Sequence, residues 1–125
     1  RLWGWVQNRF KKVSAFNERF FVANYCPLVF MEESGRNRTP DKLPAREYEP
    51  LFQACDEALR RLVEWCQPKH VIGIGKFAES RALAAMSNSN ISIGTILHPS
   101  PASPAANRGW QKQVEKQLHS QGIII

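Results

Sequence analysis

Apolar residues recur every three or four positions in four stretches of the chain, which is the spacing of a helix with one buried face. The stretches are residues 2–10, 47–67, 76–86 and 103–118. Their inward faces are predicted at Leu2, Trp3, Val6 and Phe10, then at Leu51, Phe52, Cys55, Ala58, Leu59, Leu62, Val63 and Cys66, then at Phe77, Ala78, Ala82 and Met86. The last helix is predicted to begin with Ser103 as its N-cap and Pro104 at its first position.

Three other apolar runs predict strands. RFFVANYCPLVF is dense in aromatic and β-branched residues and indicates a buried strand that ends near Asn24, because Pro27 cannot join a central ladder. HVIGIG and ISIGTIL predict the second and third strands. The polar segment 31–50 is expected to be a surface loop with one short helix at Thr39–Asp41. Strands that alternate with helices predict an α/β fold with a largely parallel sheet.

Polar residues follow all three predicted strands at their carboxyl ends, where open parallel sheets bind ligands. They are Asn24, the pair Gly75 and Lys76, and His98. The glycine turn would let the backbone approach a phosphate beside a helix N-terminus, and a histidine titrates near neutral pH. Each feature also has a plainer interpretation: a tight turn that needs glycine, a structural histidine, and an asparagine bonded to its own backbone.

The loop after His98 is unusually stiff for a simple chain reversal. It reads PSPASP, and its three prolines restrict the backbone before any ligand arrives. A rigid loop beside a titratable side chain favours insertion into a binding partner.

Composition adds a preference for anionic partners. The chain has 125 residues, the size of one domain, with 17 Lys and Arg against 11 Asp and Glu, a net charge of +6. This balance favours nucleic acid, although a merely basic soluble protein is an alternative. Three cysteines without a CxxC pair favour a reducing compartment, with the thiols buried as small apolar groups. Neither a signal peptide nor a spanning segment is recognisable, so an intracellular location is expected.

Three segments together carry a resemblance to a known family: FFVANYCPLVFMEESGRNRTPDKLPA, VIGIGKFAESRA and LHPSPASPAANRGW. In this order, and over nearly the whole chain, they resemble the single-strand-selective monofunctional branch of the uracil-DNA glycosylase superfamily. The resemblance implies a three-layer αβα fold with a short, largely parallel central sheet. It also implies DNA repair by excision of uracil, and of oxidised uracils such as 5-hydroxymethyluracil, from single- and double-stranded DNA.

The resemblance assigns roles to nine positions. Asn24 matches the asparagine that reads uracil, and His98 matches the histidine that contacts uracil O2. Gly75 and Lys76 match the turn that approaches DNA phosphates. The loop that wedges into the duplex corresponds to Pro99, Ser100, Pro101, Ala102 and Ser103, and animal members commonly carry arginine where this chain has Ala102. The family implies DNA as partner, no cofactor, no metal and no membrane, a monomer at full length, and a nuclear location in a eukaryote or a cytoplasmic one in a bacterium.

One motif of the family is absent from these residues. The Gly-Met-Asn-Pro-Gly-Pro stretch supplies the asparagine that positions the attacking water and an aromatic residue that stacks on uracil. Residues 1–125 are therefore expected to be the C-terminal half of a single domain that does not fold stably alone, with upstream residues before Arg1. Two alternatives remain: a DNA-binding fragment without the water-activating motif, and a nucleotide- or phosphate-binding α/β domain that uses the GIGK turn.

Overall fold

Helices make up most of the regular structure, and the strands are short. The computed structural model describes residues 1–125, apart from the side chain of Asp41. Within the described chain the helices are α1 (Leu2–Phe10), α2 (Val13–Asn17), α3 (Ala45–Cys66), α4 (Lys76–Ala85) and α5 (Trp110–Ser120). The strands are β1 (Phe30–Met31), β2 (Asn37–Arg38), β3 (His70–Ile74) and β4 (Ser92–Ile96), and a 3₁₀ turn covers Pro40–Lys42. No described helix is both long and apolar enough to cross a bilayer.

The second and third predicted strands form a parallel pair. β3 and β4 run in register from His70 beside Ser92 to Ile74 beside Ile96, and α4 makes the crossover between them. A Cβ on Gly73 would lie 2.3 Å from the backbone nitrogen of Glu79, so glycine is required for β3 to pack directly against α4. The parallel sheet expected from the alternation of strands and helices is confirmed.

Helices cover both faces of this sheet. Gly73 of β3 faces α4, whereas its neighbours Ile72 and Ile74 pack into the cluster that holds α1 and α5. Because successive strand residues point to opposite faces, α4 and α5 lie on opposite sides of the sheet. The chain thus has the layers of an αβα fold around a sheet of only two parallel strands.

Side chains of α5 and of Gln121, the residue after it, bond to the outer edge of β4 and to Leu97, which follows that strand. Gln121 donates through Nε2 to the carbonyl of Thr95 at 2.9 Å, and its Oε1 accepts from the Thr95 N–H at 3.1 Å. One turn earlier, Gln117 accepts from the N–H of Leu97 at 2.8 Å, and Trp110 donates to the Leu97 carbonyl at 2.7 Å. These bonds occupy backbone groups of Thr95 and Leu97 that another strand would need, which favours the β3 side for any further strand of this sheet.

The core lies between the two amino-terminal helices, β4 and α5. Its buried residues are Trp5, Val6, Phe16, Ile96, Ala106, Trp110, Val114 and Leu118. The prediction for α1 is right in its bounds and partly wrong in its face, because Trp5 is buried and Trp3 is 62 % exposed. Trp5 also donates to Glu115 of α5 at 3.0 Å. One tryptophan therefore fixes α1 to α5 through both packing and a hydrogen bond.

The longest predicted helix is confirmed, but only one of the two thiols predicted to be buried in it is buried. α3 ends where Gln67 adopts a left-handed conformation just before Pro68. Cys55 is buried, whereas Cys66 is exposed, as are its neighbours Glu64 and Trp65 at the end of α3. In α4, Ala82 and Met86 are buried as predicted, whereas Phe77 is 43 % exposed.

The prediction of a first strand that ends near Asn24 is wrong. Residues 20–29 belong to no strand, and Phe21 is 71 % exposed rather than buried. A strand is made by its hydrogen-bonding neighbour, and no described strand lies beside this segment. The pairing that does form comes later, in the antiparallel ladder of β1 and β2.

The last helix begins later than predicted, at Trp110 rather than Ser103. Ser103 does cap a turn, since its Oγ accepts from the N–H of Ala106 at 3.4 Å. Gly109 then takes a left-handed conformation with φ of 81°, which separates that turn from α5. The capping signal is therefore real but local. In the polar loop, the short helix predicted at Thr39–Asp41 is confirmed as the 3₁₀ turn.

Candidate functional site

One large groove collects most of the predicted site residues. It has a volume of about 1060 Å³ and lies between the segment 20–30 and the carboxyl ends of β3 and β4. Its lining includes Asn24, Gly75, Lys76, His98 and Pro99. The remaining loop residues, 100–103, come directly after Pro99 but lie outside the lining. The rule that ligands bind at strand ends predicts that these residues lie close together, and they do line one groove even though the first strand does not form.

His98 has a defined proton arrangement. The backbone N–H of Ser100 donates to His98 Nδ1 at 3.1 Å. A ring nitrogen that accepts a hydrogen bond carries no proton, so the neutral ring holds its proton on Nε2. His98 therefore offers an N–H donor at Nε2.

Gly75 allows the turn after β3 to lie against this histidine. Its φ of 92° and ψ of 166° are in a region that residues with a side chain rarely adopt. A Cβ at this position would lie 3.0 Å from His98 Cβ. The N–H of Gly75 donates to the carbonyl of Ile96 at 2.8 Å, so it is not free to bind a phosphate. The glycine matters for the approach to His98 rather than as a donor.

Lys76 brings positive charge to the lip of the groove. Its side chain is 86 % exposed and pairs with Glu79 at 2.8 Å. It is also the first residue of α4, and the first turn of a helix has N–H groups without intrahelical partners and a partial positive charge. This lip suits an anion better than a neutral ligand.

The proline loop is tied down from both ends. Asn107 donates through Nδ2 to the carbonyl of Pro101 at 2.9 Å, and Ser100 Oγ accepts from the N–H of Ala102 at 3.2 Å. Arg1 donates to the carbonyls of Pro99 and Ser100 at 3.4 and 3.3 Å and to the side chain of Asn107. The stiffness predicted from the prolines is thus reinforced by hydrogen bonds. Sequence reasoning missed Arg1, since nothing near it in the sequence signals this contact.

Comparison with known proteins identifies the family of this chain. The family profile described as "Uracil DNA glycosylase superfamily" matches residues 1–119. The chain belongs to this superfamily. It is 39% identical over 126 residues to the single-strand selective monofunctional uracil DNA glycosylase of Bos taurus, and equally identical to that of Rattus norvegicus. The alignments cover 99% of this chain but only 46% and 45% of those relatives, so the chain spans about half their length.

The groove has one support that sequence reasoning did not identify. Tyr25, next to Asn24, donates its hydroxyl hydrogen to Asp56 Oδ1 at 2.6 Å and accepts from Arg81 Nε at 3.0 Å. Burial, and then the hydrogen bond to Asp56, raise the pKa of the Tyr25 phenol above its ordinary value. Arg81 also pairs with the second oxygen of Asp56. We call these three side chains the Tyr25 cluster.

Asn24 itself is exposed in the groove rather than buried at a strand end. Around it the groove is largely apolar, and several of its lining side chains remain open to solvent: Trp3, Phe21, Val22, Leu28, Val29 and Phe77. Among the described residues, no three His, Cys, Asp or Glu side chains are grouped so that they would hold a metal ion. What the groove offers is therefore an amide, an imidazole N–H and apolar walls.

Proposed function

We propose that this chain is the base-reading and DNA-wedging part of a monofunctional uracil-DNA glycosylase. The reaction flips uracil out of DNA and hydrolyses its N-glycosidic bond, which leaves an abasic site. The observation that carries the proposal is that Asn24 and His98 line one groove, with the N–H of His98 at Nε2. Full-length relatives named single-strand selective uracil DNA glycosylases support it.

Asn24 would read the edge of the flipped base. Its amide donates to uracil O4 and accepts from N3–H, two groups that stand side by side in an asparagine side chain. Cytosine has an amino group and an unprotonated ring nitrogen at these positions. Where the bound base excludes water from Asn24, each partner left unsatisfied costs about 1–3 kcal/mol, which is enough to reject cytosine.

His98 would act on the leaving group. As the glycosidic bond breaks, negative charge develops on uracil, chiefly at O2. A hydrogen bond from His98 Nε2–H to O2 is stronger in the transition state than in the ground state, so it lowers the barrier. Water supplies the oxygen that bonds to the sugar C1′, and the departing uracil anion takes up a proton.

The remaining predicted residues would hold the DNA. Lys76 and the start of α4 would bind a phosphate beside the flipped nucleotide, and the net charge of +6 favours binding of the DNA backbone generally. The tied loop Pro99–Ser103 would fill the space that the base leaves. We extend the proposal to single- and double-stranded DNA, to oxidised uracils such as 5-hydroxymethyluracil, and to a monomeric full-length enzyme.

The water-positioning motif has to come from outside residues 1–125. The open edge of β3 and the groove between β3 and residues 20–24 support a further strand at this position. We propose that this strand carries the Gly-Met-Asn-Pro-Gly-Pro motif, so that residues 1–125 form the C-terminal half of one domain. The absence of that motif here is also the specific observation that favours a DNA-binding fragment without activity.

The test uses a chain that carries this motif upstream of residues 1–125 (the extended chain). Single-turnover excision is measured on a single-stranded oligonucleotide with one uracil, and DNA binding is measured by fluorescence anisotropy. His98→Leu should lower the excision rate by roughly 10²–10³, the loss that results from removal of one oxyanion donor, with DNA affinity nearly unchanged.

His119→Leu is the matched control, since His119 is exposed on α5 and does not line the groove. It should leave the rate unchanged. An extended chain that binds DNA without releasing uracil overturns the proposal in favour of the inactive fragment. Equal rates for the two histidine variants contradict the assignment of His98.

A further inference from the structure

We propose that Tyr25, Asp56 and Arg81 are positioning residues that hold Asn24 in register with His98, an inference that rests on the proposed function of Asn24. The backbone on either side of Asn24 lacks the restraint that a sheet would give. Residues 20–29 have no strand partner in the described chain, so no ladder of hydrogen bonds fixes the asparagine. An amide that selects between two bases has to be held within a fraction of an ångström, so another support is needed.

The Tyr25 cluster is a closed set of hydrogen bonds. The hydroxyl of Tyr25 donates to one carboxylate oxygen of Asp56 and accepts from Arg81 Nε. The guanidinium of Arg81 also donates to the other carboxylate oxygen of Asp56, so each side chain is bonded to the other two. The side chains of Arg81 and Asp56 are only 23% and 14% exposed. Tyr25 cannot leave without breaking bonds to two charged groups that are shielded from water, so the cluster resists local movement of the segment.

Aromatic packing adds a second restraint on the same residue. The Tyr25 ring meets Phe52 and Phe77 edge to face, with centroids 6.0 and 5.9 Å apart. The Arg81 guanidinium lies 4.8 Å from the centroid of Phe52. The ring is therefore fixed by α3 on one side and by α4 on the other. The same two helices supply the partners of the hydroxyl.

The helix that supplies Arg81 also supports the other half of the site. α4 begins at Lys76, directly after Gly75, which lies against His98. A continuous path of covalent structure and contacts thus runs from Asn24 through Tyr25 and Arg81 to α4, and from its first turn to His98. Because α4 is a rigid helix, it sets the spacing between the group that reads O4 and the group that donates to O2.

The first test is a double-mutant cycle in the extended chain. Tyr25→Phe keeps the ring and removes the hydroxyl, while Asp56 and Arg81 still pair with each other. The single-turnover rate on uracil should fall about tenfold, as expected for a small displacement of a reactive contact. In an Asn24→Ala background, Tyr25→Phe should cause no further loss, since the hydroxyl acts through the asparagine. Additive losses overturn the positioning role.

Glu57→Gln is the matched control for loss of a polar contact on α3. Glu57 forms exposed ion pairs with Arg60 and Arg61 and does not line the groove. Its removal should leave the excision rate unchanged in both backgrounds. A loss equal to that of Tyr25→Phe would mean that any disturbance of α3 affects the site, and it would overturn the specific role of the cluster.

A second measurement reports on the segment without using excision. Cys26 is half-buried two residues beyond Asn24, and the exposed Cys66 on α3 serves as an internal reference. Tyr25→Phe should raise the alkylation rate of Cys26 relative to Cys66 about fivefold, the change in local opening that loss of one hydrogen bond allows. An unchanged ratio contradicts the restraint.

The two proposals fail in different ways. If the extended chain does not excise uracil, the proposed function is wrong, and with it the role of the cluster in base reading. If the extended chain excises uracil while the cycle is additive or the thiol ratio is unchanged, the function stands and the positioning role alone is overturned.

Discussion

Gly75→Ala is the substitution whose effect on the site can be derived most directly from the structure. The glycine has φ of 92° and ψ of 166°, and a methyl group there would lie 3.0 Å from His98 Cβ and 3.3 Å from its Cδ2. Both atoms of the first contact are Cβ atoms bonded directly to the main chain, so neither can move away by rotation of a side chain. Alanine therefore strains the turn and presses on the histidine at the same time.

Each effect has a magnitude. Holding a residue with a side chain in this backbone region costs about 1–3 kcal/mol, a sizeable part of a typical stability of about 5–15 kcal/mol. To relieve the contact, His98 has to move by a few tenths of an ångström. Because a 1 Å misplacement at a reacting group costs about 10²-fold in rate, we expect an excision rate about tenfold lower.

Gly35→Ala separates the two effects. Gly35 also has a positive φ, 79°, but a Cβ there meets nothing within 4 Å. Both variants of the extended chain should unfold at lower temperature, whereas only Gly75→Ala should excise uracil more slowly in single-turnover assays below the unfolding transition. Equal excision rates for the two variants would refute the argument that this turn positions His98.

Three further predictions concern the loop, the domain and the core. Ala102→Arg should raise excision from U·A duplex, by filling the gap and pairing with a phosphate, and should barely change the rate on single strands; an equal gain on both contradicts the wedge. Residues 1–125 alone should lack a cooperative thermal transition as a monomer, as circular dichroism would reveal. Burial, and then the neighbouring Cys26, raise the pKa of the Cys55 thiol to about 11. Because the unfolded chain loses this proton at lower pH than the folded chain, the free energy of unfolding of the extended chain should decrease above about pH 9, and Cys55→Ala should make that decrease smaller.

The elements that sequence predicted well are those whose signals are local. α3 and α4 are predicted by helical periodicity, and β3 and β4 by compact apolar runs between turn residues. The error at residues 20–24 has the opposite cause. Their composition suits a strand, but a strand depends on a neighbour that composition cannot supply. The early start given to α5 is an intermediate case, since the Ser103 cap is real but the left-handed Gly109 ends its turn before the helix begins.

The same distinction applies to the site. Asn24, Gly75 and His98 were found together because the carboxyl ends of parallel strands meet at one edge. The Tyr25 cluster was missed because its partners are 31 and 56 residues away in sequence, on helices whose packing no local pattern specifies. Arg1 contacts the proline loop across 98 residues, and the periodicity of the sequence does not predict this contact either.

The open edge of β3 connects the incomplete sheet to the site. Gln117 of α5 and Gln121 just after it already occupy outward backbone groups of Leu97 and Thr95, so a further strand is expected beside β3. On its far side, such a strand would meet residues 20–24, which line the same groove and have the composition of a strand. A single added strand would therefore give Asn24 the ladder it lacks and bring its own residues into the groove, from which they could hold a water against the sugar C1′ of the flipped nucleotide. In the extended chain that ladder and the Tyr25 cluster would restrain Asn24 together, so we expect Tyr25→Phe to loosen residues 20–29 only in part, with a rise in Cys26 alkylation of about fivefold rather than full exposure of the thiol.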